Sequence, residues 1–174
     1  MTDWEQIVKT CSSLVWTTAF RVLNHREDAS DCTQDVFLEA LEVARRGPVR
    51  SWKGLLIRLC TCRALDRLRQ RSRDDERRER AGDCAGLAST GSRPEQAAER
   101  AELADLLRQA LAKLPEQQAE VFCLRVFNEM SYREIARQTG IHPSTVSVLL
   151  HRARLKLREL LSGQASKPDR EVLP

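Results

Sequence analysis

The chain is poor in aromatic side chains, which make up 5% of its 174 residues. No apolar run approaches the roughly 20 residues that a membrane-spanning helix requires, and the opening residues, Met1-Thr-Asp-Trp-Glu-Gln, lack the basic and then apolar stretch of a secretory signal. Membrane insertion and export are therefore not expected, and the cytoplasm is the expected location. Strand-like alternation is not signalled anywhere, so a sheet is not expected. Catalytic and metal-binding patterns are missing too. His25, His142 and His151 stand apart without a spacing such as His-Glu-x-x-His, and there is neither a phosphate-cradling glycine loop nor a nucleophile motif. The six cysteines (Cys11, Cys32, Cys60, Cys62, Cys84, Cys123) are scattered through helical patterns, which in a reducing compartment makes them small packing residues rather than disulfides. Cys60 and Cys62, the close pair, would point about 200° apart on a helix, a poor geometry for sharing a metal. The expectation is a protein with no enzymatic activity of its own, no cofactor and no metal.

What the chain has is charge, unevenly placed. Charged residues are 31% and hydrophobic residues 41%, with a net charge of +4, as in a soluble globular protein with solvated helices. From Glu27 to Glu42 there are six acids and no Lys or Arg; from Arg45 to Arg73 there are ten basic residues, with Asp66 the only acid. Adjacent segments of opposite sign point to two different partners, a basic protein surface and a nucleic acid.

Apolar residues recur at helical spacing in two blocks. The first, from about Trp4 to Gln70, carries Ile7, Cys11, Leu14, Val15, then Val36, Phe37, Ala40, Leu41, then Trp52, Leu55, Leu56, Leu59. The second, from about Pro94 to Leu161, carries Leu103, Leu106, Leu107, Ala110, Leu111, Leu114 and continues past Pro115. Between them lies a stretch rich in Arg, Asp, Gly, Ser and Ala that reads as a flexible tether. The expected fold class is all-α: a domain over 1–72, a linker over 73–93, a second domain over 94–163 and a tail over 164–174, with the domains free to move relative to each other.

In the first block Asp28, Asp31, Asp35, Glu39 and Glu42 recur at steps of three and four, on one helix face for roughly 21 Å at about 1.5 Å per residue. Like charges at such steps repel, and nothing within the segment offsets this. A stripe of one sign favours docking on a basic partner, with Gln34 beside it as an uncharged group to fix register. After Arg46-Gly-Pro-Val-Arg, the helix from Ser51 carries Arg58, Arg63, Arg67, Arg69, Arg71 and Arg73, which suit phosphate contacts. Trp52, at the helix start, could hold an unstacked base, but its spacing with Leu55, Leu56 and Leu59 favours the core.

In the second block the run Met130-Ser-Tyr-Arg-Glu-Ile-Ala-Arg-Gln-Thr-Gly-Ile-His-Pro-Ser-Thr-Val-Ser-Val-Leu-Leu-His-Arg-Ala-Arg reads as two short helices joined by a glycine turn. Ser131 and Glu134 have capping-box spacing, Gly140 supplies the turn, and Pro143 suits the first position of the second helix. Ile135, Ala136, Val146, Leu150 and Ala153 are spaced to pack the two helices together. Thr145, Ser147, His151, Arg152 and Arg154 are left outside, as a recognition helix in a major groove requires.

These segments resemble a bacterial RNA polymerase sigma factor of the extracytoplasmic-function group. Glu27-Asp-Ala-Ser-Asp-Cys-Thr-Gln-Asp-Val-Phe-Leu-Glu-Ala-Leu is similar to the region-two helix that binds the clamp helices of the beta-prime subunit. Trp52-Lys-Gly-Leu-Leu-Ile-Arg-Leu-Cys-Thr-Cys-Arg-Ala-Leu-Asp-Arg-Leu-Arg is similar to the helix that, with the loop before it, opens and reads the minus-ten element. Ala110-Leu-Ala-Lys-Leu-Pro-Glu-Gln-Gln-Ala-Glu-Val-Phe, Met130-Ser-Tyr-Arg-Glu-Ile-Ala and His151-Arg-Ala-Arg-Leu-Lys-Leu-Arg resemble region four, whose last helix reads the minus-thirty-five element. The resemblance implies a promoter-specificity subunit that binds core RNA polymerase, at the beta-prime clamp helices and the beta flap, and promoter DNA, and that is controlled by an anti-sigma protein. It assigns Asp28, Asp31, Gln34, Asp35 and Glu39 to polymerase docking. It assigns Arg50, Arg58, Arg63, Arg67 and Arg69 to the downstream element, and Ser144, Thr145, Ser147, His151, Arg152 and Arg154 to the upstream one.

Two departures stand out. Cys62 occupies a position where the family usually has Asn, which costs a hydrogen bond, and Ser147-Val148-Leu149 stands where a basic-Ser-Arg run is common. If each lost cation made one phosphate contact, the salt slope of DNA binding falls by roughly one to two units; Val148 and Leu149 are left to meet thymine methyls or a protein partner. The rival readings are a free-standing helix-turn-helix regulator, which has no need of the acidic stripe, and a sigma-like adaptor that binds only protein.

Overall fold

The computed structural model describes residues 3–81 and 95–165, apart from the side chains of 95–98 and 163–165, and within them every regular element is an α-helix. Helix α1 (Trp4–Leu23) starts where the Asp3 carboxylate accepts the Gln6 N–H at 3.1 Å and ends at Asn24, whose left-handed backbone (φ 50°) lets its N–H reach Phe20 O at 2.8 Å. Helix α2 (Arg26–Arg46) has Glu27 and Asp28 in its first turn and Arg45 and Arg46 in its last, each sign at the dipole end it stabilises. The following Pro48 cannot continue a helix. Helix α3 (Trp52–Ala81) opens with the Ser51 hydroxyl accepting the Gly54 N–H at 3.2 Å.

These three helices form a bundle. Val15, Ala19 and Val22 of α1, Cys32, Val36 and Ala40 of α2, and Leu56, Cys60 and Ala64 of α3 are completely buried. At one end Trp52 meets Trp4 edge-on at 5.5 Å, and Trp4 meets Phe37 in the same way at 6.1 Å, a geometry that aromatic quadrupoles favour.

The second half comprises α4 (Glu95–Ala112), α5 (Glu116–Val126), α6 (Tyr132–Thr139) and α7 (Pro143–Ala165). Leu111, Leu124, Ile135, Val146, Leu150 and Ala153 fill its interior. The halves pack on each other: α3 meets α4, α5 and α6 as well as α1 and α2, and the buried side chains of both halves join in one continuous cluster.

The expected tether over 73–93 differs from the structure along its first part: residues 73–81 prolong α3, while 82–93 fall outside the described residues. The prolongation has little apolar surface. It is held by local pairs, Asp74 with Arg77 at 3.9 Å and Glu76 with Arg80 at 3.8 Å, the i,i+3 and i,i+4 contacts that support solvated helices.

Because Leu56 is buried where α3 meets its bundle partners, Leu56→Ala should destabilise the chain by about 2–5 kcal/mol. Urea unfolding followed by tryptophan fluorescence measures this; an unchanged midpoint would contradict the packing.

Candidate nucleic-acid and protein interfaces

The α6–α7 hairpin is built from local chemistry. The Ser131 hydroxyl accepts the Glu134 N–H at 3.3 Å, while the Glu134 carboxylate accepts the Ser131 N–H at 2.8 Å, so two otherwise orphaned donors are satisfied reciprocally. The Ser131 hydroxyl also donates to the Glu134 carboxylate at 2.6 Å, and that bond, then the one from the Ser131 backbone N–H, hold the Glu134 carboxyl below its ordinary range. Gly140 turns the chain at φ 76° and caps α6 through its N–H to Ala136 O at 2.9 Å; a side chain there would be strained. Pro143 then opens α7, with His142 Nδ1 accepting the Ser144 N–H at 3.3 Å.

Val146, Leu150 and Ala153 of α7 face inward with Ile135 and Ala136 of α6. Ser144, Thr145, Ser147, His151, Arg152 and Arg154 all face solvent. Val148 (48% exposed) and Leu155 (40% exposed) lie on the same outer edge, two turns apart. Leu149 does not share that edge. It sits three residues after Val146 and four before Ala153, which puts it in the chain's own core, so the expectation that it meets a thymine methyl or another chain is corrected. Val148 alone of that pair remains available, and Leu155 joins it.

The acidic and basic helices meet each other first. Asp28 pairs with Arg71 at 3.2 Å, Asp35 with Arg67 at 2.6 Å and Glu39 with Arg63 at 2.6 Å, so residue numbers rise along α2 as they fall along α3, in an antiparallel ladder. The repulsion among Asp28, Asp35 and Glu39 is relieved from α3. Each partner is roughly a third to a half exposed, so a rung contributes at most about 1 kcal/mol.

The outward ridge of α2 is therefore narrower than the stripe. Asp31 and Gln34 are exposed, and Asp31 has no ion-pair partner among the described residues; Glu42 is exposed and pairs with Arg45 at 2.6 Å. Between them stands Leu38, 64% exposed. Sequence reasoning missed it, because Leu38 follows Val36 and Phe37 and reads as part of the core.

Of the arginines assigned downstream, Arg63 and Arg67 are rungs of the ladder. Arg58 crosses to α5, where its Nε donates to the Glu120 carboxylate at 2.8 Å. Arg69 is 17% exposed, pairs with Asp66 at 3.2 Å, and leaves its Nη2 buried without a partner. Arg50 is exposed in the α2–α3 loop, on the wall of a cleft whose other side is α6. Glu120, 8% exposed, also went unforeseen: its one local signal is a lone acid between Ala119 and Val121. The Cys62 thiol donates to the same Glu120 oxygen at 3.5 Å, and burial, then Glu120, pushes its pKa up to about 12. Cys60 turns the other way, to Val15 O at 3.2 Å. Among the described residues no grouping of His, Cys, Asp and Glu is set to hold a metal ion, and no helix is long and apolar enough to cross a membrane.

Comparison with known proteins adds the following. Residues 7–74 match the family described as Sigma-70 region 2, and residues 104–157 match Sigma-70, region 4. The chain is 36% identical over 146 residues to the RNA polymerase sigma factor YlaC of Bacillus subtilis, covering 80% of this chain and 81% of that protein. It is 28% identical over 167 residues to the ECF RNA polymerase sigma factor SigE of Mycolicibacterium smegmatis, covering 96% of this chain and 65% of that relative's length. In fold it is similar to the sigma factor RpoE of Bartonella quintana, solved in complex with the anti-sigma factor NepR, with a TM-score of 0.52 at 22% identity over 93% of this chain and 98% of that one.

The capping box has a pH signature. With its folded pKa lowered, Glu134 contributes stability that is present above its unfolded pKa of about 4.3 and is lost as pH falls through the folded value. Ser131→Ala should cost about 1 kcal/mol at neutral pH, and acidification from about pH 6 to pH 3 should lower the melting temperature of wild type more than that of the variant. Equal acid sensitivity of the two would contradict the assignment.

Proposed function

The chain belongs to the sigma-70 family, in the extracytoplasmic-function group of RNA polymerase sigma factors, and we propose that it acts as a promoter-specificity subunit that docks on core RNA polymerase and directs it to promoter DNA. The observation that carries this reading is the pairing of the two matched segments with two outward surfaces of different chemistry. One is the acidic ridge of α2 with an apolar residue at its centre; the other is the polar and basic edge of α7.

The ridge of Asp31, Gln34 and Leu38 suits a basic protein surface: charge steers the encounter, and the desolvated leucine adds the apolar contact. Asp28, Asp35 and Glu39 stand behind it, already paired to α3, so we assign them to shaping and orienting the docking helix. On α7, Ser144, Thr145, Ser147, His151, Arg152 and Arg154 serve the upstream element, with Val148 and Leu155 available for thymine methyls. Arg50 and the arginines of α3 serve the downstream element once their carboxylate partners are exchanged for phosphates.

The protein contributes recognition and no catalysis, and it works in the cytoplasm with the polymerase. An anti-sigma protein, of the kind bound to the Bartonella relative, is the controlling partner in this reading. A free-standing helix-turn-helix regulator would leave the α2 ridge without a purpose.

Asp31→Lys tests this with little risk to the fold, because Asp31 has no internal ion pair to lose. Binding to purified core polymerase should weaken by roughly tenfold or more while the melting temperature stays within about 2 °C, the shift expected of a surface change within ±0.5 kcal/mol. Promoter-dependent transcription should fall with the binding. If wild type ignored polymerase and bound duplex DNA on its own, the regulator reading would replace this one.

A further inference from the structure

The rotation of α7 about its own axis is fixed from inside. Val146, Leu150, Ala153 and Leu157 are each at most 4% exposed, and at about 100° per residue they share roughly 60° of the helix circumference. Directly opposite, on the same count, stand Ser144, Val148, His151 and Leu155, all exposed. This outermost line carries no Lys or Arg. The cations stand to its sides, Arg154 and Arg158 on one flank and Arg152 and Lys156 on the other. Lys156 pairs with Glu159 at 3.1 Å, whereas Arg152, Arg154 and Arg158 have no ion-pair partner among the described residues.

We infer that this line reads thymine, with Val148 and Leu155 as the specificity-determining side chains, each on one C5-methyl group, while the flanking arginines hold phosphates. The inference deepens the promoter-specificity reading above and rests on it. A helix seated in the major groove turns its outermost line to the base edges on the floor and its flanks to the sugar-phosphate walls. Guanine is read there by Arg or Lys and adenine by Asn or Gln, and the line has none of these four. What it has is aliphatic surface, which matches the thymine methyl.

The neighbours on the line do not change that assignment. The Ser144 hydroxyl is engaged with His142 Nδ1 at 2.8 Å, at the cap of the helix. The His151 imidazole can donate to a purine N7, which adenine and guanine both offer, so it does not demand guanine. Val148 and Leu155 are seven residues apart, roughly 10 Å along the helix. In the groove that spans about two to three base-pair steps of roughly 3.4 Å rise each. The upstream element therefore presents two thymines at that spacing, on either strand, and no obligatory guanine beneath the line. Affinity comes from the flanks and varies with salt; sequence preference comes from the line and does not.

The test is a selection by the full chain bound to core RNA polymerase, from duplexes with a randomised stretch. Enriched duplexes are then remade with uracil, which lacks only the methyl group, in place of single thymines. Wild type should enrich two thymines at the stated spacing, and uracil at either should weaken binding about fourfold, the size of one buried methyl group. Val148→Ser should erase the difference between thymine and uracil at one position and Leu155→Ser at the other, with the salt slope unchanged. Both side chains are exposed, so neither change touches the core. Arg152→Ala should instead lower the salt slope by about one unit and leave the enriched sequence as it was.

Equal binding of thymine and uracil duplexes would overturn the inference, as would a difference that survives both serine variants. A guanine position that relaxes in Arg152→Ala would overturn it too, since an arginine would then be reading a base. So would serine variants that weaken binding to polymerase and not to DNA, because the line would then be a protein contact. Failure of wild type to bind polymerase at all would sink the promoter-specificity reading itself, and the inference with it.

Discussion

An arginine held against a carboxylate has that much less charge and freedom to offer a phosphate, and in this chain α3 gives most of its arginines to carboxylates. Arg63, Arg67 and Arg71 are held by α2, Arg58 by α5, and Arg69 by Asp66 in its own helix. α3 is thus the wall on which both halves are built and, in the proposed function, the helix that must later face DNA. Its arginines stabilise the free protein with the same groups that the proposed function assigns to the promoter.

The strengths of these pairs differ by burial. The rungs to α2 are partly in water, where an ion pair contributes little and a phosphate backbone can displace it. The pair to Glu120 lies between the halves, where the carboxylate is largely dry. Breaking it while the halves stay together would leave an uncompensated buried charge, costing about 3–5 kcal/mol by analogy with other buried pairs.

How much of this is legible in the sequence follows the range of the interaction concerned. The hairpin is legible almost residue by residue, because Ser131, Glu134, Gly140 and Pro143 act on neighbours no more than four positions away. The all-helical class and the placement of Trp52 with the apolar residues of the first bundle follow from periodicity. The acidic stripe is visible as a stripe, but which half of it faces out depends on the register of α2 against α3, and no spacing within α2 reveals that. The same ignorance hides Leu38, which shares its heptad with core residues. Glu120 is the furthest from local logic, since its partners lie 62 and 58 positions earlier in the chain. The helix over 73–81 is hidden for a different reason: its composition is that of a tether, and its support is a few local ion pairs and the neighbouring α4, which a residue count does not show.

The reconstruction of an initiation complex, with this chain, core polymerase and promoter DNA together, tests the account most directly. The account predicts the edge of α2 from Asp31 to Leu38 against polymerase and the edge of α7 from Val148 to Leu155 in the major groove of the upstream element. A complex in which the α2 ridge faces water and the outer edge of α7 lies away from DNA would contradict it.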